Sequence, residues 1–347
     1  MRYPKPLLPN ATIAITAISS GVDAALHPRL DFILNNLRRQ GYNIIEGQCL
    51  RSNIGYVSAD AETRAAELMQ FLSDPDIAAV IPPFGGELAT ELLPLLDFEK
   101  LKTLPPKWIL GYSDVSTITC ALTASSDFAT VHSACLMEML PRQPDPFTGR
   151  ILQHLSCDEM SSFEQQSASH YQNTFPDWKR DPYCRFDLSQ PSRWQKLSKG
   201  SDTDDSLQLR GRLFGGCLDT LVNLFENPYL DFAGFKTRYQ LDGVILFLEN
   251  VEMSPKALKR ALLSLEMRGV FKHLNGLLLG RSTGPQDANG ELDYHQIVRD
   301  FFIDKDFPVL LDADISHYPP NMTLINGALA SIDYCEGQAR VTQSLIP

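Results

Sequence analysis

The sequence predicts an α/β protein with two domains. Apolar segments of strand length alternate with amphipathic helical segments in its N-terminal part, which is typical of a mostly parallel sheet covered by helices. This alternation stops in a polar, aromatic stretch and then resumes, which indicates a second α/β or α+β domain. The length of 347 residues also fits two domains of ordinary size. We therefore expect an N-terminal domain over 1–155, a linker or substrate-loop region over 156–206, and a C-terminal domain over 207–347.

The N-terminal elements are predicted from periodicity and stop signals. The expected strands are ATIAITAI, YNIIEG, IAAVIPP, KWILGY and DFATVHSA. The expected helices are HPRLDFILNNLRRQG, DAETRAAELMQFLSDP, GELATELLPLL and the segment that follows Ser113. In the first helix, apolar side chains recur at helical spacing from Leu30 to Leu37, and Gly41 is expected to end it.

The C-terminal elements follow a region of little periodicity. That region is rich in Tyr, Phe, Trp and Pro, so it is either a functional loop or a linker. LRGRLFGGCLDTLVNLFENP then reads as a glycine-rich entry to a helix. The expected strands are DGVILFLEN, LNGLLLGR and FPVLLDADISH, the expected helices are SPKALKRALLSLEMRG and YHQIVRDFF, and ALASIDYCEGQARVTQ is expected to form a closing hairpin.

Composition narrows the functional class. The chain is 44% hydrophobic and 21% charged, and its net charge of -11 argues against nucleic-acid binding, which needs a basic face. No run approaches the roughly 18–20 apolar residues of a membrane span, and prolines interrupt the N-terminal apolar stretch, so we expect no membrane contact and a cytoplasmic location. The seven cysteines include no C-x-x-C pair, which suits a reducing compartment and signals no zinc site.

The segment WILGYSDVST places a serine at a turn between a buried strand and a helix. Ser113 is either the N-cap of that helix or a nucleophile presented on a tight elbow. Two more polar residues follow predicted strands, Glu249 after VILFL and His317 after VLLDADIS. Because ligand and catalytic groups of open α/β sheets gather at the carboxyl ends of strands, we expect these side chains to lie together.

Ser, Glu and His are the components of a serine hydrolase, in which an imidazole takes the serine proton and a carboxylate orients the imidazole. The turn at Gly85 and Gly86 opens a helix, and its backbone N–H groups are suited to stabilising an oxyanion.

Each assignment has an alternative. Glu249 is also consistent with a solvated strand end, with Glu252 as its nearest rival, and His132 in TVHSA likewise lies at a strand end. The Gly85-Gly86 turn lacks the Lys-Ser/Thr of a P-loop, and no H-E-x-x-H motif is present, so we expect neither a metal nor another cofactor.

Five stretches in order resemble the LD-carboxypeptidase family of serine peptidases (S66 type), and within it the microcin C immunity, MccF-like branch. They are PPFGGELATELLPLLDFEKLK, PKWILGYSDVST, LRGRLFGGCLDTL, LFLENVEMSP and LLDADISHYPPNMTLINGALASID. The resemblance implies a nucleophile domain, a C-terminal domain with the other catalytic groups, and a site in the cleft between them. It places the nucleophile on Ser113, the carboxylate on Glu249 and the base on His317. It also implies a homodimer.

The resemblance further implies that the backbone N–H groups of Gly86 and Asp114 are the oxyanion donors. Gly85 is expected to belong to the substrate-binding site. The sequence departs from the family pattern around His317, where Ser316 replaces a glycine and Tyr318 replaces a threonine. Two activities belong to the family: removal of a terminal D-alanine from murein tetrapeptides, and cleavage of the amide between an aminoacyl or peptidyl group and a nucleotide-like moiety.

The aromatic region favours the second activity, because large aromatic rings stack on nucleobases. Trp178 is the first candidate for such a contact and Trp194 the second, whereas the alternative is that both pack between the domains. A non-enzymatic alternative is a protein that sequesters its ligand on a degenerate site. We therefore expect a small peptide or aminoacyl-nucleotide as the substrate, bound without nucleic acid.

Overall fold

Two β-sheets organise the chain in the computed structural model, which describes residues 1–198, 205–286 and 292–347. The strands of the first sheet are β1 (Thr12–Ile15), β2 (Asn43–Glu46), β3 (Ile77–Ile81) and β4 (Trp108–Ile109). They run parallel in the order β2-β1-β3-β4. The predicted α/β fold with a parallel N-terminal sheet is thereby confirmed.

Helices lie between these parallel strands and after the last of them. They are α1 (His27–Arg39), α2 (Ala61–Ser73), α3 (Phe98–Thr103), α4 (Val115–Ser126) and α5 (Ile151–His154). The apolar face predicted for α1 is buried, and Gly41 follows the helix with a φ of 94°. The helix expected in GELATELLPLL is instead a 3-10 helix over Ala89–Leu95, because Pro94 has no N–H to donate inside an α-helix. Further 3-10 turns lie at Ala24–Leu26, Leu136–Glu138 and Thr148–Arg150.

The second sheet carries the C-terminal half. The remaining strands are β5 (Thr130–His132), β6 (Ser162–Gln166), β7 (His170–Tyr171), β8 (Gln190–Pro191), β9 (Gln195–Lys196), β10 (Ser206–Cys217), β11 (Val244–Glu249), β12 (Gly276–Gly280), β13 (Val309–Ala313), β14 (Leu324–Asn326), β15 (Leu329–Cys335) and β16 (Gln338–Ser344). Eight of them form one sheet in the order β6-β16-β15-β10-β11-β12-β13-β9. Strands β10 to β13 are parallel neighbours, whereas the flanking pairs are antiparallel.

The helices of this half are α6 (Leu218–Leu221), α7 (Phe232–Arg238), α8 (Pro255–Met267) and α9 (Tyr294–Phe302). Ser254 caps α8 as predicted, by accepting the N–H of Ala257. The glycine-rich segment leads into helix α6, as predicted, and it does so as the end of the long strand β10. The expected hairpin forms from β15 and β16.

The aromatic region over 156–206 is part of the second sheet rather than a separate linker. It supplies both edge strands, since β6 pairs with β16 and β9 pairs with β13. Residues 199–204 of this region lie outside the described residues.

The two halves share packing. Strand β14 from the C-terminal half pairs with β5 from the N-terminal half, and one apolar cluster includes both Ile118 of α4 and Phe214 of β10. None of the described helices is long and apolar enough to cross a membrane.

Candidate active site

Ser113 stands on a strained turn between β4 and α4. Its φ of 60° is in the left-handed region, which a serine adopts only when the surrounding structure imposes it. The N–H of Ser116 donates to the carbonyl of Ser113 at 2.9 Å, so the first turn of α4 starts immediately after it. The N-cap position falls on Asp114, whose side chain makes no capping hydrogen bond to the backbone N–H groups of the first turn. The geometry therefore matches a nucleophile elbow rather than a serine N-cap.

Asp114 fixes the elbow from below. Its buried carboxylate accepts the hydroxyl of Ser19 at 2.7 Å and the N–H of Ala89 at 2.8 Å through one oxygen, and the hydroxyl of Thr117 at 3.1 Å through the other. Ser19 follows β1 and Ala89 follows β3. One carboxylate thus ties the loops after two parallel strands to the serine turn.

Gly85 and Gly86 lie against the elbow. A Cβ on Gly85 would stand 2.6 Å from Ser113 Cβ and 2.9 Å from the nitrogen of Asp114, so only glycine allows this approach. Gly86 has a φ of 144°, and a Cβ there would collide with Ser19 and Ser20. In the part of the chain that the structure describes, the N–H groups of Gly86 and Asp114 have no hydrogen-bond acceptor. Two backbone donors are therefore free beside the serine.

Glu249 and His317 form a buried pair. Glu249 is the last residue of β11 and is 1% exposed, and its Oε2 lies 2.9 Å from Nδ1 of His317 in the loop after β13. This contact leaves Nε2 as the ring nitrogen available to a hydroxyl. Glu252, the predicted rival of Glu249, is exposed and lies at the edge of the cavity described below.

Burial and charge act in opposite directions on this pair. Burial disfavours the imidazolium of His317, but the charge and hydrogen bond of Glu249 outweigh burial and raise the pKa of His317. For Glu249, burial favours the neutral acid, but the charge and hydrogen bond of His317 outweigh it and lower the pKa of the carboxyl. The carboxylate is therefore ionised and oriented toward the imidazole.

A buried ion pair holds the histidine loop. Arg281 at the end of β12 contacts Asp314 at 2.6 Å, and its other nitrogen donates to the carbonyl of Pro320 at 3.1 Å. Ser316, where the family pattern has glycine, donates its hydroxyl to the carbonyl of Arg281 at 2.8 Å and accepts the N–H of Tyr318 at 3.0 Å. The serine thus adds two hydrogen bonds beside His317.

Ser113 and His317 line one cavity of about 730 Å³ between the two halves. Its wall also contains Gly86, Asp114 and Phe175. Three further carboxylates line it: Glu87, Asp219 and Glu252. The residues that line it include no lysine or arginine among those described, so the cavity is electronegative.

The carboxylates play different parts. Asp219 accepts the N–H groups of Val251, Glu252 and Met253 at 2.9 to 3.1 Å, so it shapes the loop after β11. The side-chain carboxylates of Glu87 and Glu252 have no hydrogen bond or ion pair to any described residue. Burial, followed by the negative charges of Glu252, Asp114 and Asp219, raises the pKa of Glu87.

The two predicted tryptophan contacts need correction. Trp194 is 2% exposed, and its indole N–H donates to Asp314 at 3.0 Å, so it stabilises the loop that carries His317. It does not line the cavity. Trp178 is half-buried with its ring stacked against Phe84 and under the guanidinium of Arg29, and it does not line the cavity. Phe175 of the same region is the aromatic residue that does.

Sequence reasoning missed a buried group of residues behind the pair. The ring of Tyr112 lies 4.8 Å from that of His317, and its hydroxyl donates to Glu138 at 3.1 Å. Glu138 is fully buried, which raises its pKa to about 7. The nearest signal in the sequence was Tyr112 in the elbow motif, since nothing in the local pattern marks Glu138.

Two family models match the two halves of the chain. The model of the LD-carboxypeptidase N-terminal domain matches residues 13–133, and that of the LD-carboxypeptidase C-terminal domain matches residues 210–332. The chain therefore belongs to the LD-carboxypeptidase family. The described residues include no group of His, Cys, Asp or Glu arranged to hold a metal ion.

Individual relatives come from both branches of the family. The chain is 24% identical to the microcin C7 self-immunity protein MccF of Escherichia coli, over 98% of this chain and 96% of that protein. It is 23% identical to a probable murein peptide carboxypeptidase of Bacillus subtilis, over 97% and 93%. The structure of MccF in complex with aspartyl sulfamoyl adenosine matches with a TM-score of 0.82 at 21% identity, over 99% of both chains. At these identities the structural match concerns the fold.

Proposed function

We propose that this protein is a serine peptidase or amidase in which Ser113 is the nucleophile, His317 the general base and Glu249 the group that orients the base. The observation that carries the proposal is the 2.9 Å contact between Glu249 and His317 in a cavity that His317 shares with the strained Ser113. A satisfied structural histidine would not need a serine elbow in the same cavity.

In the proposed reaction, the Ser113 hydroxyl attacks the carbonyl carbon of the amide while Nε2 of His317 takes its proton. Glu249 stabilises the imidazolium that forms. The negative charge on the carbonyl oxygen is stabilised by the free N–H groups of Gly86 and Asp114. His317 then gives its proton to the leaving nitrogen. In the second half of the reaction, water attacks the acyl-enzyme while His317 takes its proton, and His317 then returns this proton to the Ser113 oxygen.

For the substrate we propose an amide between an aminoacyl or peptidyl group and a nucleotide-like moiety. Full-length similarity to MccF supports this, and so does the electronegative cavity. An aminoacyl group carries an ammonium next to the scissile amide, whereas a murein tetrapeptide carries several carboxylates that the unpaired Glu87 and Glu252 would repel. A murein carboxypeptidase is the alternative activity, as the Bacillus subtilis relative indicates. A protein that only sequestered its ligand would have no need of the strained backbone at Ser113.

The test is to assay the purified protein in parallel on an aminoacyl sulfamoyl adenosine and on a murein tetrapeptide, with Ser113→Ala and Ser125→Ala variants. Ser113→Ala should lower kcat by about 10⁶-fold, as loss of a triad nucleophile does. Ser125, on the same helix but outside the cavity, is the matched control and should retain wild-type kcat. Retention of more than a few per cent activity by Ser113→Ala would exclude Ser113 as the nucleophile. Cleavage of the tetrapeptide alone would replace the nucleotide substrate with murein.

We also propose that the protein is a cytoplasmic homodimer, from the composition and the family resemblance. Light scattering after gel filtration measures the mass directly, and a mass near 38.8 kDa would indicate a monomer instead.

A further inference from the structure

His132 is a buried histidine without a hydrogen bond. It ends β5, is 1% exposed, and neither of its ring nitrogens has a partner among the described residues. A buried imidazole without a partner is costly, because its polar atoms have been removed from water and gain nothing in return. Its position in the fold therefore needs an explanation.

The ring of His132 lies beside the Glu249–His317 pair. It contacts the ring of Phe247, with the two centroids 5.3 Å apart. Glu249 is two residues after Phe247 in β11, so the two side chains lie on the same face of that strand. The ring of Tyr112 contacts both histidines, at 6.1 Å for His132 and 4.8 Å for His317. The two histidines are thus on neighbouring sides of one tyrosine.

Glu249 has a matching need. Its Oε2 is bonded to His317, whereas its Oε1 is buried and accepts no N–H or O–H group of the described residues; the thiol of Cys217, a weak donor, is the polar group beside this carboxylate. The ring nitrogens of His132 and Oε1 of Glu249 therefore lie in the same buried region, around Phe247 and Tyr112. We propose that His132 is a positioning residue that donates a hydrogen bond, through one buried water, to Oε1 of Glu249 and so holds this carboxylate in line with His317. The proposal rests on the function proposed above for Ser113, Glu249 and His317.

The charges around His132 fit a neutral donor. Burial lowers the pKa of His132 to about 4, against the opposing charge of Glu249 and with the added effect of His317. A neutral imidazole carries one N–H and one acceptor nitrogen, so it donates to a carboxylate without adding a second positive charge. The other titratable groups facing the pair are Glu138 and Asp219 toward His317, and Cys217 toward Glu249.

The test measures how fast Ser113 reacts with a fluorophosphonate, because this needs no knowledge of the substrate. The rate constant is followed by intact-protein mass spectrometry from pH 5 to 9 for wild type, His132→Phe and His132→Gln. His132→Phe should slow labelling by about tenfold to a hundredfold, as expected when a buried acceptor is left unsatisfied. The acid limb of its pH profile should also move to higher pH. Without the hydrogen bond from His132, the carboxylate charge of Glu249 stabilises the imidazolium of His317 more strongly and raises its pKa. His132→Gln keeps an N–H donor and should remain within a few-fold of wild type.

His154→Phe is the matched control. His154 is also buried, with a pKa lowered by burial to about 4 and an Nδ1 unpartnered in the described residues, but its ring stacks on Phe163, and the charged group that acts on it is Arg150 rather than Glu249 or His317. It should leave the labelling rate and its pH profile unchanged. Wild-type behaviour of His132→Phe, or equal losses in the Phe and Gln variants with an unmoved acid limb, would overturn the role of His132. Failure of the wild type to label at Ser113 would instead overturn the proposed function itself.

Discussion

At the scale of single residues, the backbone rather than the side chain distinguishes Ser113. Many serines precede helices, and local sequence alone left the N-cap and the nucleophile as alternatives. The φ of 60° and the position of the cap on Asp114 separate them. Glu249 and His317 were predictable because each follows a strongly apolar strand, and parallel strand ends meet at one edge of a sheet.

The raised pKa of His317 predicts where activity falls on the acid side. Burial lowers this pKa, but Glu249, with smaller contributions from Glu138 and Asp219, raises it above 6.5 overall. The base must be neutral to accept a proton, so the rate is lost as pH falls through the raised pKa. The pH–rate profile of kcat/KM should therefore have its acid limb above 6.5.

Glu249→Gln checks the cause of that limb. Removal of the charge that raises the pKa should move the limb to lower pH, and kcat should drop on the order of 10⁴-fold because the imidazole loses its orienting carboxylate. Glu252→Gln, which has no bond to His317, should leave both the limb and kcat close to wild type. An unmoved limb in Glu249→Gln would assign the raised pKa to another group.

At the scale of elements, long periodic helices and buried strands were predictable, and breaks caused by tertiary contacts were not. The helix α1 and the cap of α8 follow their local signals. The strand conformation of LFGGC before α6 was not predictable because glycine disfavours a strand, but Gly215 and Gly216 lie in β10 where β11 and Ser116 approach too closely for a Cβ. The edge strands β6 and β9 show little alternation of apolar and polar residues. They form because they pair with β16 and β13, and these partners are not visible in the local sequence.

Gly85 provides a test at this scale, since it sets the distance between the loop after β3 and the elbow. In Gly85→Ala the new Cβ meets Ser113 Cβ at 2.6 Å, so the serine or the loop must shift. Displacement of an oxyanion donor costs about 10²–10³ in kcat, and we expect a loss of that order with KM changed less. Gly149→Ala is the control, because a Cβ there meets nothing within 4 Å. Equal kcat in the two variants would show that the elbow tolerates a side chain.

At the scale of the whole molecule, the site exists because two sheets direct their carboxyl ends at one cavity. The loops after β3 and β4 bring Gly86 and Ser113, the end of β11 brings Glu249, and the loop after β13 brings His317. Sequence order predicts which residues follow strands but not the side on which two sheets meet. That is why Ser113, Glu249 and His317 could be proposed as a triad from the sequence, while Trp178 and Trp194 were placed in the cavity and Phe175 was not.

The charge of the cavity also belongs to the whole molecule, because Glu87 comes from one half and Glu252 from the other. Neither has an ion-pair partner in the described residues, so we expect a preference for positively charged acyl groups. Lysyl and glutamyl sulfamoyl adenosine share the α-ammonium and the linkage, and their side chains carry opposite charges. The ratio of their kcat/KM values should favour lysyl in the wild type and fall as salt is added.

The double variant Glu87→Gln/Glu252→Gln should lower this ratio by about threefold to tenfold per carboxylate removed, since each exposed charge acts weakly across water. The change should arise mainly in KM, because neither carboxylate contacts the Ser113–His317–Glu249 group. Glu99→Gln on α3 removes the same charge far from the cavity lining and is the matched control. If the wild type prefers the glutamyl compound, or if the double variant and the control give the same ratio, the cavity carboxylates do not select the substrate by charge.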